Sequence, residues 1–207
     1  MIMEGDARDV MAALGPGSID LIYTDPPYPR ADAVPCFEIL AELSKTVLVD
    51  GGSLVTIAPH YLLEWVVLTM GRSGLKYRWM YVMNQTAGPH PRMAMGIEVL
   101  YKPMLHYVKR AYPSGRGFLR DMVDIPAKEK GLHKWQQPEA WAEYYIEKLC
   151  PPGGTVLDPF AGVGTAGVVA KKLGRKSIMI DSDRLAVVAM RTRMKLLEEN
   201  SETKEQP

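Results

Sequence analysis

Short apolar runs alternate along the chain with segments in which apolar residues recur at helical spacing. The runs predict buried strands at residues 19–23, 53–58, 77–83, 97–108, 155–158 and 176–180. Helical spacing predicts helices at residues 7–14, 37–48, 60–71, 138–149, 166–173 and 184–197. Strands that alternate with helices are typical of an α/β fold, in which helices cover a mostly parallel, doubly wound sheet.

Two features stand outside this alternation. Residues 110–132 have weak periodicity and many basic side chains, so we predict an exposed loop or short insertion in a single domain that spans residues 1–199. The polar residues 200–207 are predicted to form a disordered tail. Residues 72–134 contain 12 Lys and Arg against 4 Asp and Glu, a basic block that favours phosphate binding but also fits an ordinary solvated surface.

Composition narrows the class of protein. A chain of 207 residues suits one domain, and it contains no apolar run of the ~18 residues that a membrane span needs. The N-terminal residues lack the pattern of a secretory signal, and Cys36 and Cys150 are too few for a disulfide framework or a typical metal site. We therefore expect a cytoplasmic protein without a bound metal.

A glycine-rich turn at residues 157–165 follows one predicted strand and opens a helix. Glycines in such a turn let a ligand approach the backbone, and Asp181 ends the next strand, where a carboxylate can accept hydrogen bonds from ribose hydroxyls. The turn could also use glycine only for packing. Its acidic and aromatic residues, together with Asp181, resemble the S-adenosylmethionine site of class I methyltransferases. The residues expected to bind this cofactor are Asp158, Pro159, Phe160, Gly162, Gly164, Thr165 and Asp181.

The sequence Asp25-Pro26-Pro27-Tyr28 follows the first predicted buried strand. An exocyclic amine of a base is a poor nucleophile, because its lone pair is delocalised into the ring. The Asp25 carboxylate and the Pro26 carbonyl could both accept hydrogen bonds from the amine, and consecutive prolines keep the turn rigid. Tyr28 could stack on a flipped base. A common proline-rich turn is the alternative interpretation, which is less attractive in a chain that also carries the glycine turn.

Both motifs, in this order, resemble the permuted β class of amino-DNA methyltransferases. The resemblance implies a Rossmann-like, seven-stranded, mostly parallel sheet with a reversed edge strand, and it implies base flipping. It also places Asp6 beside the cofactor adenine and residues 133–139, with Gln137 and Pro138, at the methionine end of the cofactor. Residues 98–100 resemble the strand pair that closes the target pocket in this family, whose members are frequently dimers.

The resulting hypothesis is an S-adenosylmethionine-dependent DNA methyltransferase that methylates N6 of adenine, because Asp at the first motif position is more usual in adenine enzymes. Cytosine-N4 methylation, an RNA or protein amide substrate and a non-catalytic binding protein are the alternatives. The short segment 110–132 implies relaxed specificity, a separate specificity subunit, or recognition by another part of the fold. Candidate phosphate contacts are Arg30, Lys109, Arg110, Arg116, Arg120, Lys128 and Lys130.

Overall fold

The computed structural model describes residues 1–84, 90–92, 96–115, 117–124 and 139–202. Its strands are β1 (Ile2–Glu4), β2 (Ile19–Thr24), β3 (Leu48–Ile57), β4 (Lys76–Asn84), β5 (His90–Arg92), β6 (Ile97–Val99), β7 (Tyr101–Val108), β8 (Met122–Asp124), β9 (Thr155–Asp158) and β10 (Lys176–Asp181). Its helices are α1 (Ala7–Ala13), α2 (Arg30–Val47), α3 (Leu63–Met70), α4 (Glu139–Leu149), α5 (Thr165–Lys172) and α6 (Arg184–Glu202), and a 3-10 turn (His60–Leu62) precedes α3. These elements confirm the predicted α/β class.

The main sheet contains eight strands among the described residues, in the order β1-β10-β9-β2-β3-β7-β4-β8. This is one more than the expected seven, and the three-residue β8 is the outermost strand beside β4. All neighbours are parallel except β7, which is antiparallel to both β3 and β4. The expectation of a reversed edge strand is therefore wrong in its position, because the reversed strand lies inside the sheet. No crossover helix appears in the described part of the chain between β4 and β7, and a strand that returns without a crossover runs antiparallel.

Burial on both faces explains why the central strands are continuous apolar runs. Along β2, Ile22 packs into a core beneath α1, α2 and α3, while its neighbours Leu21 and Tyr23 pack into a second core beneath α4 and α5. Successive side chains of a strand point to opposite faces, so both sets must be apolar when helices cover both sides. A third, smaller cluster joins α6 to β10 through Met179 and Met190.

Several predicted boundaries were wrong for local reasons. Helix α2 begins at Arg30 rather than at residue 37, because Pro29 serves as its N-cap residue and the helix accommodates Pro35. The predicted strand 97–108 divides at Leu100 into β6, which pairs with β5 in a separate two-stranded sheet, and β7. Helix α6 continues to Glu202, so residues 200–202 are helical rather than part of a tail.

Part of the segment predicted as an exposed insertion is packed against the core. Tyr112 and Leu119 are partly buried against the cluster beneath α4 and α5, and residues 122–124 form β8 parallel to β4. Three residues are too few to give a strand pattern in a basic stretch, so the sequence did not predict β8. Among the described residues, the structure contains no helix that is both long and apolar enough to cross a membrane.

Candidate active site

The two predicted motifs meet where the order of the sheet reverses. From β9 the chain continues to β10, on one side, and from β2 it continues to β3, on the other, while β9 and β2 are parallel neighbours. In open α/β sheets, ligands bind in the crevice outside the carboxyl ends of two such strands. Asp25 follows β2 and the glycine turn follows β9, so both lie at this crevice.

The Asp25-Pro26-Pro27-Tyr28 turn is fixed at both of its ends. Pro26 is buried, Asp25 is partly buried, and the Tyr61 hydroxyl donates a hydrogen bond to the Tyr28 carbonyl. The Lys102 ammonium, from the start of β7, lies 3.5 Å from a carboxylate oxygen of Asp25. The turn therefore presents a carboxylate and an aromatic ring at the mouth of the crevice, in a defined arrangement.

The glycine turn is tied to the carboxylate of Asp181. The Gly162 amide donates to Oδ2 of Asp181 at 2.8 Å, and the Asp183 amide donates to Oδ1 at the same distance. Because an ionised carboxylate offers about four acceptor positions, Asp181 keeps acceptor capacity for ribose hydroxyls. Gly162 and Gly164 have positive φ angles of 52° and 77°, a backbone conformation that side chains with a Cβ rarely adopt.

A third glycine of this region, Gly167, was missed in the sequence interpretation. It completes a Gly-x-Gly-x-x-Gly spacing with Gly162 and Gly164. A Cβ at Gly167 would lie 1.9 Å from the Met179 sulfur on β10, so this glycine allows α5 to pack closely on the strand. The signal was present in the sequence, since the third glycine of such a turn serves helix–strand packing.

Asp158 links the two motifs. The Thr24 hydroxyl, which directly precedes Asp25, donates to Oδ1 of Asp158 at 2.7 Å, and the Phe160 amide donates to the same oxygen at 3.2 Å. Burial raises the pKa of Asp158 to about 7, against the lowering effect of these hydrogen bonds, and the charges of Asp25 and Asp181 raise it further. The Asp158 carboxyl group thus fixes the position of the glycine turn relative to the Asp25 turn.

Arg193 supports the glycine turn from behind. Its guanidinium donates to the Val163 carbonyl at 2.7 Å and to the Thr165 hydroxyl at 3.3 Å. The same group pairs with Glu139 at 3.0 Å, so α6 connects the turn to the first residue of α4. Arg193 has no local sequence signal, because its partners lie 28 to 54 residues away.

Asp6, which the resemblance places beside the cofactor adenine, lies next to Asp181. Strand β1 is parallel to β10, and the Gly5 amide donates to the Asp181 carbonyl at 3.0 Å. The Asp6 carboxylate caps α1 by accepting from the Arg8 amide. Burial, and then the charges of Asp32, Asp6 and Asp181, raise the pKa of the Cys36 thiol to about 12, so this cysteine is a protonated, unreactive neighbour of the site.

The predicted phosphate contacts separate into three groups. Lys109 and Arg110 follow β7 and pair with Asp50 near the start of β3. Asp25 lies beyond the opposite, carboxyl-terminal ends of the parallel strands, so we withdraw both residues as contacts to DNA beside the site. Arg30 and Arg120 are exposed, and Arg30 begins α2 directly after the turn that contains Asp25. The remaining predicted phosphate contacts, Arg116, Lys128 and Lys130, lie outside the described residues, as do the predicted cofactor residues Gln137 and Pro138.

Comparisons with known proteins agree with this geometry. Residues 118–189 match the family model described as DNA methylase. The type II methyltransferase M2.DpnII of Streptococcus pneumoniae is 25% identical and aligns over 94% of this chain and 89% of its own length. The structure of TTHA0409 from Thermus thermophilus, complexed with S-adenosyl-L-methionine, superposes with a TM-score of 0.78 at 20% identity, over 95% of this chain and 93% of that one. PvuII DNA methyltransferase, which is cytosine-N4-specific, gives a TM-score of 0.77 at 16% identity, over 93% and 85%.

The structural similarities confirm the class I methyltransferase fold. The family model and M2.DpnII add a sequence similarity to DNA methylases. The solved TTHA0409 complex contains S-adenosyl-L-methionine, the same cofactor that the sequence of this chain predicts. The residues placed at the crevice fit that cofactor, because an acceptor-rich Asp181 suits ribose and the glycine turn leaves room for close approach.

Proposed function

We propose that this protein transfers the methyl group of S-adenosylmethionine to the N6 amine of adenine in DNA. The observation that carries the proposal is the hydrogen bond from Thr24 to Asp158, which joins the Asp25 turn to the glycine turn at the crevice between β2 and β9. The acceptor of the methyl group and its donor would therefore lie on two rigidly connected turns. Such fixed orientation can supply a large part of the rate of a two-substrate reaction.

In the proposed mechanism the target base leaves the stack and enters the pocket beside Tyr28. The Asp25 carboxylate and the Pro26 carbonyl accept hydrogen bonds from the amine, so its lone pair localises and points at the cofactor methyl. Asp25 also opposes the positive charge that develops on the nitrogen during transfer, which is electrostatic stabilisation by a preorganised group. When held by the glycine turn and Asp181, S-adenosylmethionine would supply an electrophilic methyl group. Its transfer to the amine would leave S-adenosylhomocysteine, and the amine proton would pass to solvent.

Cytosine N4 is the second candidate target, because its amine presents the same two donors. The structural similarity to PvuII methyltransferase, which is cytosine-N4-specific, keeps this alternative open. We favour adenine because Asp25 occupies the first position of the motif. By analogy to M2.DpnII, which is a type II methyltransferase, we propose a restriction-modification role. The Asp25 turn precedes the glycine turn in the sequence, which supports the proposed assignment to the permuted β class.

The short segment 110–132 and the family resemblance lead to two further proposals. The first is that the enzyme acts as a homodimer. The second is that a separate subunit supplies its sequence specificity. Sedimentation of the protein with and without duplex DNA distinguishes a monomer from a dimer. Sequencing of methylated sites after expression in a methylation-free host shows whether a fixed recognition sequence exists.

The direct test of the reaction is identification of the product nucleoside. The protein is incubated with S-adenosylmethionine and unmethylated duplex DNA, and the digested DNA is analysed by mass spectrometry. We expect N6-methyldeoxyadenosine, with a yield that falls steeply as salt rises, because phosphate contacts release counterions. N4-methylcytosine without methyladenine would contradict the adenine assignment, and transfer to RNA or protein alone would contradict a DNA substrate.

A further inference from the structure

Lys102 lies among the groups that the proposed mechanism assigns to the target base. Its ammonium is 3.5 Å from Oδ2 of Asp25 and 4.8 Å from the centre of the Tyr28 ring. The side chains of Lys102 and Asp25 are only 18% and 22% exposed, so the pair is largely withdrawn from solvent. If a base stacked on Tyr28 and its amine donated to Asp25, a neighbouring group on the same edge of the base would therefore lie beside the Lys102 ammonium.

The fold holds this lysine in place. Lys102 is the second residue of β7, the reversed strand, and it pairs across the sheet with Met83 of β4. On the other side, the Pro103 carbonyl accepts from the Ala58 amide at the end of β3. Because β7 is antiparallel to its neighbours, its first residues lie at the carboxyl ends of β3 and β4, which is the edge that carries Asp25.

Asp25 and Lys102 together form a complementary pair of hydrogen-bonding groups. An ionised carboxylate only accepts hydrogen bonds, and an ammonium only donates them. Adenine carries an NH2 next to the acceptor N1, and cytosine carries an NH2 next to the acceptor N3. On the Watson–Crick edges of guanine and thymine, the corresponding ring nitrogen is protonated and would face the ammonium donor to donor.

We propose that Lys102 is a specificity-determining residue that donates a hydrogen bond to the ring nitrogen beside the target amine, N1 in adenine. The inference rests on the proposed function and deepens it by assigning a second contact to the base. Asp25 and Lys102 would read the amine and its neighbouring acceptor as a unit. In the free protein the same two groups pair with each other, and the incoming base exchanges that contact for two contacts with itself.

An ion pair that only stabilised the turn would leave a different experimental signature. Loss of such an ion pair would lower the stability of the protein, and it would reduce activity by the same factor on every substrate. A direct contact to the ring nitrogen makes the loss depend on whether that nitrogen is present in the base. Combining a protein substitution with a single-atom substitution in the base separates the two cases, in the manner of a double-mutant cycle.

The experiment compares wild-type protein with Lys102→Met, Lys102→Arg and the control Lys76→Met, which removes an exposed lysine at the start of β4. Each is assayed by kcat/KM on two duplexes that contain the methylated site found by sequencing. One duplex carries adenine at the target position and the other carries 1-deazaadenine, in which a C–H group replaces N1. If the product is N4-methylcytosine, 3-deazacytosine takes that place.

For the wild type and Lys76→Met we expect kcat/KM on the deaza duplex to be lower by about tenfold or more, because a hydrogen bond to a charged group contributes at least the free energy that corresponds to a change of about tenfold. In Lys102→Met the ratio between the two duplexes should fall towards one, and Lys102→Arg should restore part of it. S-adenosylmethionine affinity should be unchanged in both Lys102 variants, which verifies that they fold.

An unchanged ratio in Lys102→Met would overturn the assignment of Lys102 and leave the methyltransferase proposal standing. The same conclusion would follow if the wild type used both duplexes equally well. Failure of the wild type to methylate any unmodified duplex would instead contradict the proposed function itself. The two failures are therefore distinguishable in one set of measurements.

Discussion

Replacement of Gly164 by alanine tests whether the glycine turn is as tightly packed as the structure indicates. A Cβ at this position would lie 2.8 Å from Cγ of Met190 and 3.0 Å from the sulfur of Met179, and both methionines are buried. The residue also has a φ of 77°, so the substitution carries backbone strain as well as a steric conflict.

The magnitude follows from two contributions. The left-handed backbone costs a residue with a Cβ about 1–2 kcal/mol, and overpacking of a well-packed core costs about 1–3 kcal/mol. The unfolded chain loses some freedom when Gly becomes Ala, which returns about 0.4–1 kcal/mol. We therefore expect Gly164→Ala to lower the free energy of unfolding by about 1–5 kcal/mol, with a central value of about 3 kcal/mol.

Gly174→Ala provides the matched control. Gly174 follows α5, has a φ of 70°, and would place its Cβ in open space, so it isolates the backbone contribution. Urea denaturation monitored by circular dichroism should show a loss of about 1 kcal/mol for this control. In a Met190→Ala background, adding Gly164→Ala should cost much less than it costs in the wild type, since neighbouring substitutions are not additive.

Equal stability of Gly164→Ala and Gly174→Ala would refute this reasoning. It would mean that Met179 and Met190 can move aside at no cost, and that backbone conformation alone requires a glycine in the turn. Additivity of Gly164→Ala and Met190→Ala would contradict the assigned contact in a second, independent way.

Three further predictions concern the groups around the turns. The pKa of Asp158 is raised from 3.8 to about 7 in the folded protein, so the stability of the wild type should fall as pH rises from about 4 to 7. In urea denaturation over this pH range, the Asp158→Asn variant should gain up to about 4 kcal/mol of stability relative to the wild type, with no further gain above about pH 7. The Arg193→Met variant should lose about 2 kcal/mol of stability in the same assay and should bind S-adenosylmethionine more weakly. As a control, Lys195→Met removes an exposed ion pair on the same helix and should change stability by less than ~1 kcal/mol. Asp181→Ala should weaken S-adenosylmethionine binding in calorimetry by about tenfold or more, and unchanged affinity would remove it from the cofactor site.

Much of the candidate site could be predicted, because each of its two motifs is a short, continuous stretch of the sequence. Asp25 directly follows a buried strand, and the glycine turn directly follows another, so strand ends identified from apolar runs also locate the functional turns. Asp181 was found in the same way, at the end of β10. Parallel strands share an edge, and the sequence therefore predicts that these groups meet without any knowledge of long-range contacts.

The contacts that connect the motifs could not be predicted. Thr24 and Asp158 are 134 residues apart, and Lys102 reaches Asp25 only because β7 is inserted, reversed, between β3 and β4. That insertion depends on strand order, which hydrophobic periodicity does not specify. For the same reason Lys109 and Arg110 were expected near DNA, whereas they lie at the far edge of the sheet beside Asp50.

The most direct test of the central claim is methyl transfer by the Asp25→Ala variant. Transfer of a labelled methyl group from S-adenosylmethionine to duplex DNA is measured beside the wild type, with cofactor affinity determined by calorimetry on the same samples. We predict that turnover falls by at least ~100-fold while cofactor affinity stays within about threefold, because the proposed mechanism assigns Asp25 to the amine and not to the cofactor. Near-normal turnover in Asp25→Ala would contradict the account.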